Sequence, residues 1–585
     1  MSEISGPHRS IWSRILGGRH EVAPARVSAS IEDGYGQGEY GAGFGGNLDA
    51  AYRAGGYGQQ DTAEWFVDNG SADSTVLPAR DLALNRIRDV VRNDPTARSA
   101  VERLVDLLVG SGLRLSSKPD GDALGLVDAD GNTDAKATRA LGKQIEREWR
   151  RFAEEPGRCC DANRRLSMNG LWRLFVRTWI VAGECTYLLT WKPGTQAYST
   201  CVMPIDPDRL SNPRGSFATA TIRGGVEMTP DGTPLAYHVR EAHAADWWAA
   251  GRSFSWTRVP RETSWGRPVF VHGFEPDREN LTRAITPFAS LVGRLRMIGK
   301  HADHELAAAA ANALNVAFVE SDLPVEEVQQ RLTAGGAGVG DRKSYAGWLM
   351  NWFDRNPAKV AGVRIPVMPP GSKVTMNNTP RQTTAFPAFQ TAFLHSIAAS
   401  LNISYEQLTM DWSRVNYSSA RAALNEVWRS VQRMSTAFVE QVVNPVFRAV
   451  IEEAFDKGYI THPHAANDNA QAAPDFWECP GAYLRARWIG PFRGSVDPLK
   501  EAEAAGMRIE LLLSTHEIEC AQLGHDYLDI FDQVAVENAE LADRNLSRQS
   551  IVDALSQAKA ARPTSPEFEG DETPAGGNAP LQDAA

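Results

Sequence analysis

Residues 389–429, FQTAFLHSIAASLNISYEQLTMDWSRVNYSSARAALNEVWR, contain two helical patterns separated by a polar loop. Up to Leu401, bulky apolar side chains recur every three or four residues, which is the spacing of one helix face. Farther along, Ser418-Ser419 provides hydroxyls that can cap a second, very long helix. The apolar face of that helix is predicted to comprise Leu424, Val427, Trp428, Val431, Met434, Phe438 and Val442. The pattern therefore predicts two helices joined by a loop over residues 402–418.

The long helix is expected to be interrupted and then to end at a glycine. Pro445 should kink or break it, because proline lacks the backbone N–H that a helix interior needs. Gly458 should end it. Residues 497–547 again show helical patterns, whereas residues 562–585 form an acidic, proline-containing tail that we expect to be disordered.

A further long helix precedes the quoted stretch. The alanine-rich segment HELAAAAANAL extends a helix that begins near Thr286-Pro287 and runs toward Asn312. At 1.5 Å per residue, such a helix is roughly 40 Å long. Residues 333–381 are rich in Gly, Pro and Asn, and within them VRIPVMPPGSKVTMNN predicts two short strands around a Pro-Pro-Gly turn.

The region before residue 280 mixes helices with strands. The first strong helix is expected near Leu77, and Asp94-Pro95 predicts a new start, as N-cap and first helical residue, with Gly110 as its end. The next amphipathic helix carries Leu141, Ile145, Trp149 and Phe152.

A third helix of this region, from about Asn169 to Ala182, runs into Gly183-Glu184 and the strand-like CTYLLTW. Residues 198–275 predict several short strands separated by turns, for example at a Pro-Asp-Gly sequence. Helices and strands are thus interspersed here and helices dominate elsewhere. The predicted fold class is α+β and helix-rich.

Length and composition limit the class of protein. A chain of 585 residues exceeds the usual size of one hydrophobic core, so two to four packed regions are expected. Residues 1–75 are rich in Gly, Tyr and Ala and have too few aliphatic side chains for a core, which predicts an arm that is flexible or laid over a neighbour. No run of about 18 apolar residues and no signal peptide is found, so neither membrane insertion nor secretion is expected.

Charge and cysteine content exclude two further kinds of protein. The net charge is −11 and no basic tract occurs, which argues against a protein that holds nucleic acid by neutralising phosphates. An acidic protein can still let a duplex slide past it. The six cysteines lack the spacing of a zinc site, and a reduced, cytosolic chain fits them best.

The sequence segments that resemble enzyme motifs each lack a required residue. GAGVGDRKS resembles a phosphate loop, and Gly335 and Gly340 have the required spacing, but Asp341 stands where the lysine should meet the phosphates. DADGNTD, residues 128–134, resembles a calcium loop but lacks its glycine at the sixth position, so a turn is expected. No GxSxG sequence occurs. We predict no enzyme and no cofactor.

One histidine cluster keeps a metal-dependent hydrolase open as an alternative. His301, Asp303, His304 and Glu305 lie close together on the alanine-rich helix. The sequence HADHE does not place two histidines four residues apart around a glutamate, as a zinc-binding helix requires. We therefore expect a solvated helix face rather than a metal site.

Three stretches resemble the lambda-type bacteriophage portal protein family, in that family's order. They are LPARDLALNRIRDVVRNDPTARSAVERLVDLLVGSGLRL, VRTWIVAGECTYLL and the opening stretch, with its ISYEQLT, Asp411 and NYSSARAAL. DPLKEAEA, residues 497–504, is similar to the family's C-terminal region. The resemblance covers roughly residues 77–547. One departure is DRENLTRAITPF, which replaces a turn of Gln-x-Arg-Gly type.

The resemblance implies the phage portal fold, a twelve-fold ring of subunits with wing, stem, clip and crown regions. The regions implied are a flexible arm (1–75), wing (76–280), stem helix (281–315), clip (316–385), second stem helix (386–401), candidate tunnel loop (402–418), long helix with wing return and crown (419–556), and a disordered acidic tail (557–585). Arg414, Asn416, Tyr417 and Arg421 would then be candidate contacts to DNA in the channel. Equally, Asn416 and Tyr417 could only order the turn before the cap.

The resemblance also implies partners and a location. Double-stranded DNA would pass through the channel during packaging and ejection, and the large terminase, the packaging ATPase, would dock at the clip. The major capsid protein and head-completion or adaptor proteins would bind elsewhere on the ring, at the portal vertex of the virion, after assembly in the host cytoplasm. The rival within phage biology is another head morphogenesis protein, which would not close into rings of one size.

Overall fold

The structure is a computed structural model. It describes residues 69–128, 132–194, 196–314, 359–360, 363–364, 385–413, 415–462, 474–494 and 497–547. The helices are α1 (Ala72–Asn93), α2 (Pro95–Leu108), α3 (Ala135–Ala153), α4 (Met168–Ala182), α5 (Val292–Leu314), α6 (Ala385–Ser400), α7 (Tyr405–Thr409), α8 (Tyr417–Phe438), α9 (Asn444–Asp456), α10 (Pro480–Tyr483), α11 (Pro498–Glu510), α12 (His516–Gln522) and α13 (Tyr527–Asp543). Their order confirms the helices expected from apolar periodicity on both sides of the strand-rich region.

The strands form small antiparallel sheets. They are β1 (Arg114–Ser117), β2 (Glu184–Trp191), β3 (Thr200–Ile205), β4 (Ile222–Arg223), β5 (Val226–Met228), β6 (Pro234–Arg240), β7 (Trp256–Pro260), β8 (Phe270–Phe274), β9 (Lys359–Val360), β10 (Val363–Arg364) and β11 (Ala486–Ile489). One sheet has the order β3-β2-β8 and another the order β4-β5-β6-β7, while β1 pairs with β11 and β9 with β10. The predicted α+β class is thus confirmed, and β1–β11 joins two parts of the chain far apart in sequence.

Helix ends follow side-chain chemistry. Asp94 caps α2 and accepts a hydrogen bond from the backbone N–H of Ala97 at 2.8 Å, with Pro95 first in the helix, as predicted. Helix α1 begins earlier than expected, because Ser71 caps it and Pro78 lies inside it. Its first turn therefore belongs to residues that were assigned to the N-terminal arm.

Helix α8 also differs from expectation at both ends. Its cap is Asn416, whose side chain accepts a hydrogen bond from the N–H of Ser419 at 2.9 Å, so the predicted Ser418-Ser419 cap is wrong. A π-helical turn, Val439–Val443, follows α8 and leads directly into α9. The α-helical pattern is thus interrupted before Pro445 as predicted, but the chain stays helical until Gly458, at φ +68°, ends it.

The described residues from Ser71 onward belong to one compact unit with two hydrophobic cores. The larger core unites α1–α4, β2, α8 and α9, and Trp172, Phe175 and Tyr187 are buried within it. The hydroxyl of Tyr187 donates to the carbonyl of Val442 at 2.5 Å, which satisfies its only donor inside the core. The smaller core lies on the four-stranded sheet, where Tyr237 stacks on Phe270.

Other expectations fall partly or wholly outside the described ranges. The GAGVGDRKS segment lies outside them, as does most of VRIPVMPPGSKVTMNN, of which Val363–Arg364 pairs with Lys359–Val360. In DADGNTD, the N–H of Asp128 donates to the carbonyl of Asn132 at 2.8 Å, which is the expected turn. Every helix in the described ranges is too short or too polar to cross a membrane.

Candidate functional site

The predicted tunnel loop, residues 402–418, has two structurally different halves. In the first half, Ser404 and Gln407 form a reciprocal capping box that starts α7. Ile403 and Leu408 are buried, and the hydroxyl of Ser99 on α2 donates to the carbonyl of Leu408 at 2.9 Å. The ISYEQLT sequence is therefore an anchor that fixes the segment to the main core.

The second half, residues 410–416, is exposed from Met410 to Ser413 and at Asn416, and we call it the channel segment. Met410 adopts a left-handed conformation at φ +59° and ends α7. The carboxylate of Asp411 accepts from the N–H of Ser413 at 3.0 Å and from its hydroxyl at 2.6 Å, which orders the turn. The side chains of Met410 and Trp412 are 55% and 42% exposed. The segment thus presents large apolar side chains to its surroundings on a turn held by Asp411.

The four predicted DNA contacts are placed unequally. Arg414 and the side chain of Tyr417 lie outside the described residues. Asn416 is the N-cap of α8, so its side-chain oxygen is committed to the N–H of Ser419. Arg421 lies one turn farther along α8, is exposed, and has no ion-pair partner within the described part of the chain. Of the two side chains that the structure describes, Arg421 carries a positive charge that no described carboxylate neutralises, whereas Asn416 is uncharged.

Helices α5 and α6 lie side by side just before the channel segment. Arg294 donates to the hydroxyl of Ser396, and the ring of His301 lies 5.3 Å from that of Phe389. Because the later residue of α5 meets the earlier residue of α6, the two helices are antiparallel. They form a hairpin that leads into the channel segment through Leu401, which is buried.

The histidine cluster on α5 does not form a metal centre in the described ranges. His301 packs on Phe389, while Asp303 and His304 are exposed on the helix surface. In those ranges no group of three His, Cys, Asp or Glu side chains converges as metal binding requires. His301 and His304 thus have different surroundings, the first against the ring of Phe389 and the second at the exposed helix surface.

A buried ion network lies beneath the α5–α6 hairpin, centred on Glu184 at the start of β2. Arg80 of α1 donates to its carboxylate at 2.6 Å, and Nε of Arg283 donates at 2.9 and 3.0 Å. His272 of β8 lies 3.0 Å from the same group, and the N–H of Ala284 donates at 3.3 Å. Glu184 has no exposed surface. One carboxylate thus connects α1, the two paired strands β2 and β8, and the segment that leads into α5.

The charges of this network are coupled. Burial alone would raise the pKa of Glu184, but the positive charges of Arg283 and Arg80 and the contact with His272 outweigh burial and hold that pKa well below its usual value. Burial lowers the pKa of Arg80 and also that of His272, in spite of the adjacent carboxylate. Glu184 therefore stays ionised, and its two arginines need it to remain so.

Arg283 is the functional residue that the sequence reasoning missed. It lies in DRENLTRAITPF, where Leu281-Thr282-Arg283-Ala284 keeps the arginine of the Gln-x-Arg-Gly pattern and changes its first and last residues. Besides Glu184, Arg283 donates to the carbonyls of Pro207, Leu210 and Gly224 at 2.6 to 2.8 Å. The available signal was the arginine itself, three residues before the helix start at Thr286-Pro287.

Comparison with known proteins assigns the family. The family model described as phage portal protein, lambda family, matches residues 58–434. The chain is 31% identical over 520 residues to the portal protein of Escherichia phage N15, covering 88% of this chain and 94% of that protein. It is 30% identical over 504 residues to portal protein B of Escherichia phage lambda, covering 86% and 89%.

A solved structure, the virion of a native gene transfer agent particle, contains a chain that is similar at a TM-score of 0.34 and 12% identity, over 76% of this chain and 93% of that one. The matched residues of the family model include α1–α7, the ion network, the hairpin and the channel segment. This chain therefore belongs to the lambda family of phage portal proteins.

Proposed function

We propose that this chain is the portal subunit at one vertex of a tailed-phage capsid. Identical subunits assemble into a ring, and double-stranded DNA enters and leaves the head through its channel. The observation that supports this most is the similarity to two phage portal proteins over 94% and 89% of their lengths, since a match of that extent spans most of each relative rather than one module.

The regions of the subunit follow from that function. Helices α1–α4 with the sheets, up to residue 280, form the wing, and the Glu184 network fixes the wing to the start of α5. The antiparallel α5–α6 hairpin is the stem, residues 316–385 form the clip, and residues 402–418 contain the tunnel loop. Among the described residues of that loop, the exposed ones, which could meet DNA, are Asn402, Met410 to Ser413, Asn416 and Ser418. The C-terminal helices belong to the crown.

The charge pattern fits a channel that guides DNA without holding it. With a net charge of −11 per subunit, a ring repels phosphates over most of its surface. Arg421 adds one positive charge per subunit beside the channel segment, and Arg414, Asn416 and Tyr417 complete the candidate contacts. Repulsion with a few point contacts allows the duplex to slide, whereas a continuous basic lining would retain it.

The subunit acts with partners rather than as an enzyme. The large terminase docks at the clip and supplies the energy of packaging by hydrolysing ATP, the major capsid protein surrounds the ring at the vertex, and head-completion or adaptor proteins bind after packaging. The chain lies in the virion and, during assembly, in the host cytoplasm. Within the described residues no grouping of side chains with the geometry of a metal site contradicts this structural role.

The direct test is the mass and symmetry of the purified full-length chain. Native mass spectrometry and negative-stain imaging should show a closed ring of about twelve copies with a central hole, because identical subunits with heterologous interfaces close by rotation. A chain that stays monomeric, or forms open filaments at every salt concentration and with the capsid protein present, would overturn the proposal in favour of another head protein.

A further inference from the structure

Helix α11 has an apolar face that no described part of the chain covers. Leu499, Met507 and Leu511 are 70%, 62% and 68% exposed, and no residue of the helix is buried. Spacings of eight and four residues, which are close to whole helical turns, place these side chains on one face. Exposing three large apolar side chains in a row is costly in water, so this face is suited to a partner surface.

The same face carries negative charge. Glu503 and Glu510 lie between the apolar positions, are exposed, and have no ion-pair partner within the described ranges. Residues 497–547 contain twelve acidic and three basic residues, a net charge of −9. The partner of α11 should therefore combine apolar surface with unpaired positive charge.

A cleft elsewhere on the subunit has that combination. It lies between α1, α2, α4 and the end of β3 and has a volume of about 570 Å³. Its apolar lining comes from Val91, Leu174 and Val181, and arginines surround it. Two of these, Arg92 and Arg98, are exposed and have no ion-pair partner in the described part of the chain.

The other two arginines of the cleft are already neutralised. Arg88 binds Asp206 and Asp208, and Arg177 binds Glu102 at 2.5 Å. Two positive charges therefore remain for a ligand, which equals the number of unpaired glutamates on α11. Arginine binds carboxylates through two parallel hydrogen bonds, so each pair can fix register as well as add attraction.

We propose that the arginine-rimmed cleft of one subunit receives the α11 face of the neighbouring copy. This inference rests on the proposed ring, in which each subunit must present two different and complementary patches. Leu499, Met507 and Leu511 then enter the apolar part of the cleft, while Glu503 and Glu510 pair with Arg92 and Arg98. The contact is heterologous, so repeating it around the ring uses each cleft and each α11 once.

Charge reversal and its compensation test the pairing. We expect R92E/R98E and E503R/E510R each to reduce the fraction of protein in rings, measured by native mass spectrometry at low salt, at least about tenfold. The four substitutions together should restore at least half of the wild-type fraction. R139E/R278E, which changes the charge of two exposed arginines outside the cleft by the same amount, should assemble as the wild type does.

A covalent probe gives an independent measurement. L174C/M507C treated with a bifunctional thiol cross-linker should give a ladder of cross-linked multimers on a denaturing gel, while L174C and M507C alone should add nothing to the wild-type pattern. Far-UV circular dichroism of every variant checks that the fold is retained, as substitution of exposed side chains should allow.

The outcomes separate this inference from the proposed function. Wild-type levels of rings in both charge-reversed variants would refute the pairing, and so would a lack of recovery in the combined variant. Neither result would contradict the proposed assembly of the wild-type chain into a ring. Loss of DNA binding in R92E/R98E with normal rings would show that the cleft serves phosphates instead. Absence of rings in the wild-type chain would remove the proposed function and, with it, the pairing.

Discussion

Gly183 and Glu184 are adjacent in the chain but are needed for different physical reasons. Gly183 ends α4 at φ +84°, and a Cβ there would lie 2.7 Å from the backbone of Ile285 and Thr286. Glu184 then directs its carboxylate into the ion network with Arg80 and Arg283. The glycine allows the segment before α5 to approach, and the glutamate holds it there.

The cost of the close approach can be measured separately from the cost of the backbone conformation. Gly232 has the same φ of +84° but nothing within 4 Å of its missing Cβ. We expect G232A to lower the free energy of unfolding by about 1 kcal/mol, the cost of a left-handed alanine. G183A should cost at least about twice as much, because backbone atoms must also move. Urea unfolding monitored by tryptophan fluorescence measures both, and equal losses would contradict the predicted clash.

His272 should make stability depend on pH near neutrality. Burial lowers the pKa of His272 in the folded chain, although the adjacent carboxylate of Glu184 raises it, and the nearby positive charges of Arg283 and Arg80 lower it further. The unfolded chain therefore takes up this proton first, at about pH 6.5, and stability is complete above that pH and is lost as pH falls below it. Glu184, whose pKa is also depressed, adds a similar loss only at still lower pH.

We expect H272Q to remove the first part of this dependence. The free energy of unfolding of the wild type should fall between about pH 7 and pH 5.5, and that of H272Q should fall less. H304Q, at an exposed position of α5, serves as the control and should follow the wild type. Parallel profiles for the wild type and H272Q would show that His272 gains its proton equally easily in the folded and unfolded chains.

At the scale of single residues, the sequence could not predict which side chains contact each other. Arg80 and Glu184 lie in stretches that resembled the family, but their contact spans 104 residues and leaves no local pattern in the sequence. Arg283 lies in the stretch that departed from the family, where a change of neighbours hid the unchanged arginine. The sequence shows which residues are present, whereas their contact partners are determined only by tertiary packing.

At the scale of elements, apolar periodicity predicted the helices well and their ends poorly. The apolar faces of α3 and α8 were expected from Leu141, Ile145 and Val431, and these side chains are buried in the main core. The position of a helix end depends on a single capping hydrogen bond. Two possible capping residues that lie one or two positions apart therefore cannot be distinguished from the sequence. The choice between Asn416 and Ser418 as the cap of α8 is such a case.

The cap of α8 gives a prediction for the channel segment. N416A should destabilise the first turn by about 1 kcal/mol, because the N–H of Ser419 loses its acceptor, and S418A should have little effect. Hydrogen–deuterium exchange of a peptide covering residues 415–424 should speed up about fivefold in N416A. N416D, which keeps an acceptor oxygen, should exchange as the wild type does. Faster exchange in S418A than in N416A would return the cap to the serines.

At the scale of the whole molecule, stability is unevenly distributed. The main core joins α1–α4 with α8 and α9, and the four-stranded sheet has a small core of its own. In contrast, the described part of α11–α13 contributes only Glu519 and the adjoining Asp526 to the buried residues. Sequence indicated helices over 497–547 but not that they lack a core, since their apolar residues are as frequent as in a packed helix.

Exposed ion pairs connect these C-terminal helices to α3. Lys143 and Arg150 of α3 bind Asp532 and Asp529 of α13 at 2.6 and 3.4 Å. Such pairs contribute about 0.2–1 kcal/mol each and are screened as the Debye length falls from about 10 Å at 0.1 M salt to about 3 Å at 1 M. We therefore expect proteolysis within residues 498–547 to accelerate about threefold to tenfold at high salt, while the main core stays intact.

Substitution at low salt should reproduce the effect of screening. K143E/R150E should be cleaved in the C-terminal helices at 0.1 M salt as fast as the wild type is at 1 M. R429E, which breaks the exposed Arg429–Glu426 pair on α8, should leave that cleavage unchanged. Mass spectrometry of the fragments locates the cut sites. If cleavage depended neither on salt nor on K143E/R150E, other contacts, such as that of Lys118 with the ring of Tyr527, would be what holds α13. Assembled rings should resist cleavage in α11 specifically, because its exposed face is then covered by the neighbouring cleft.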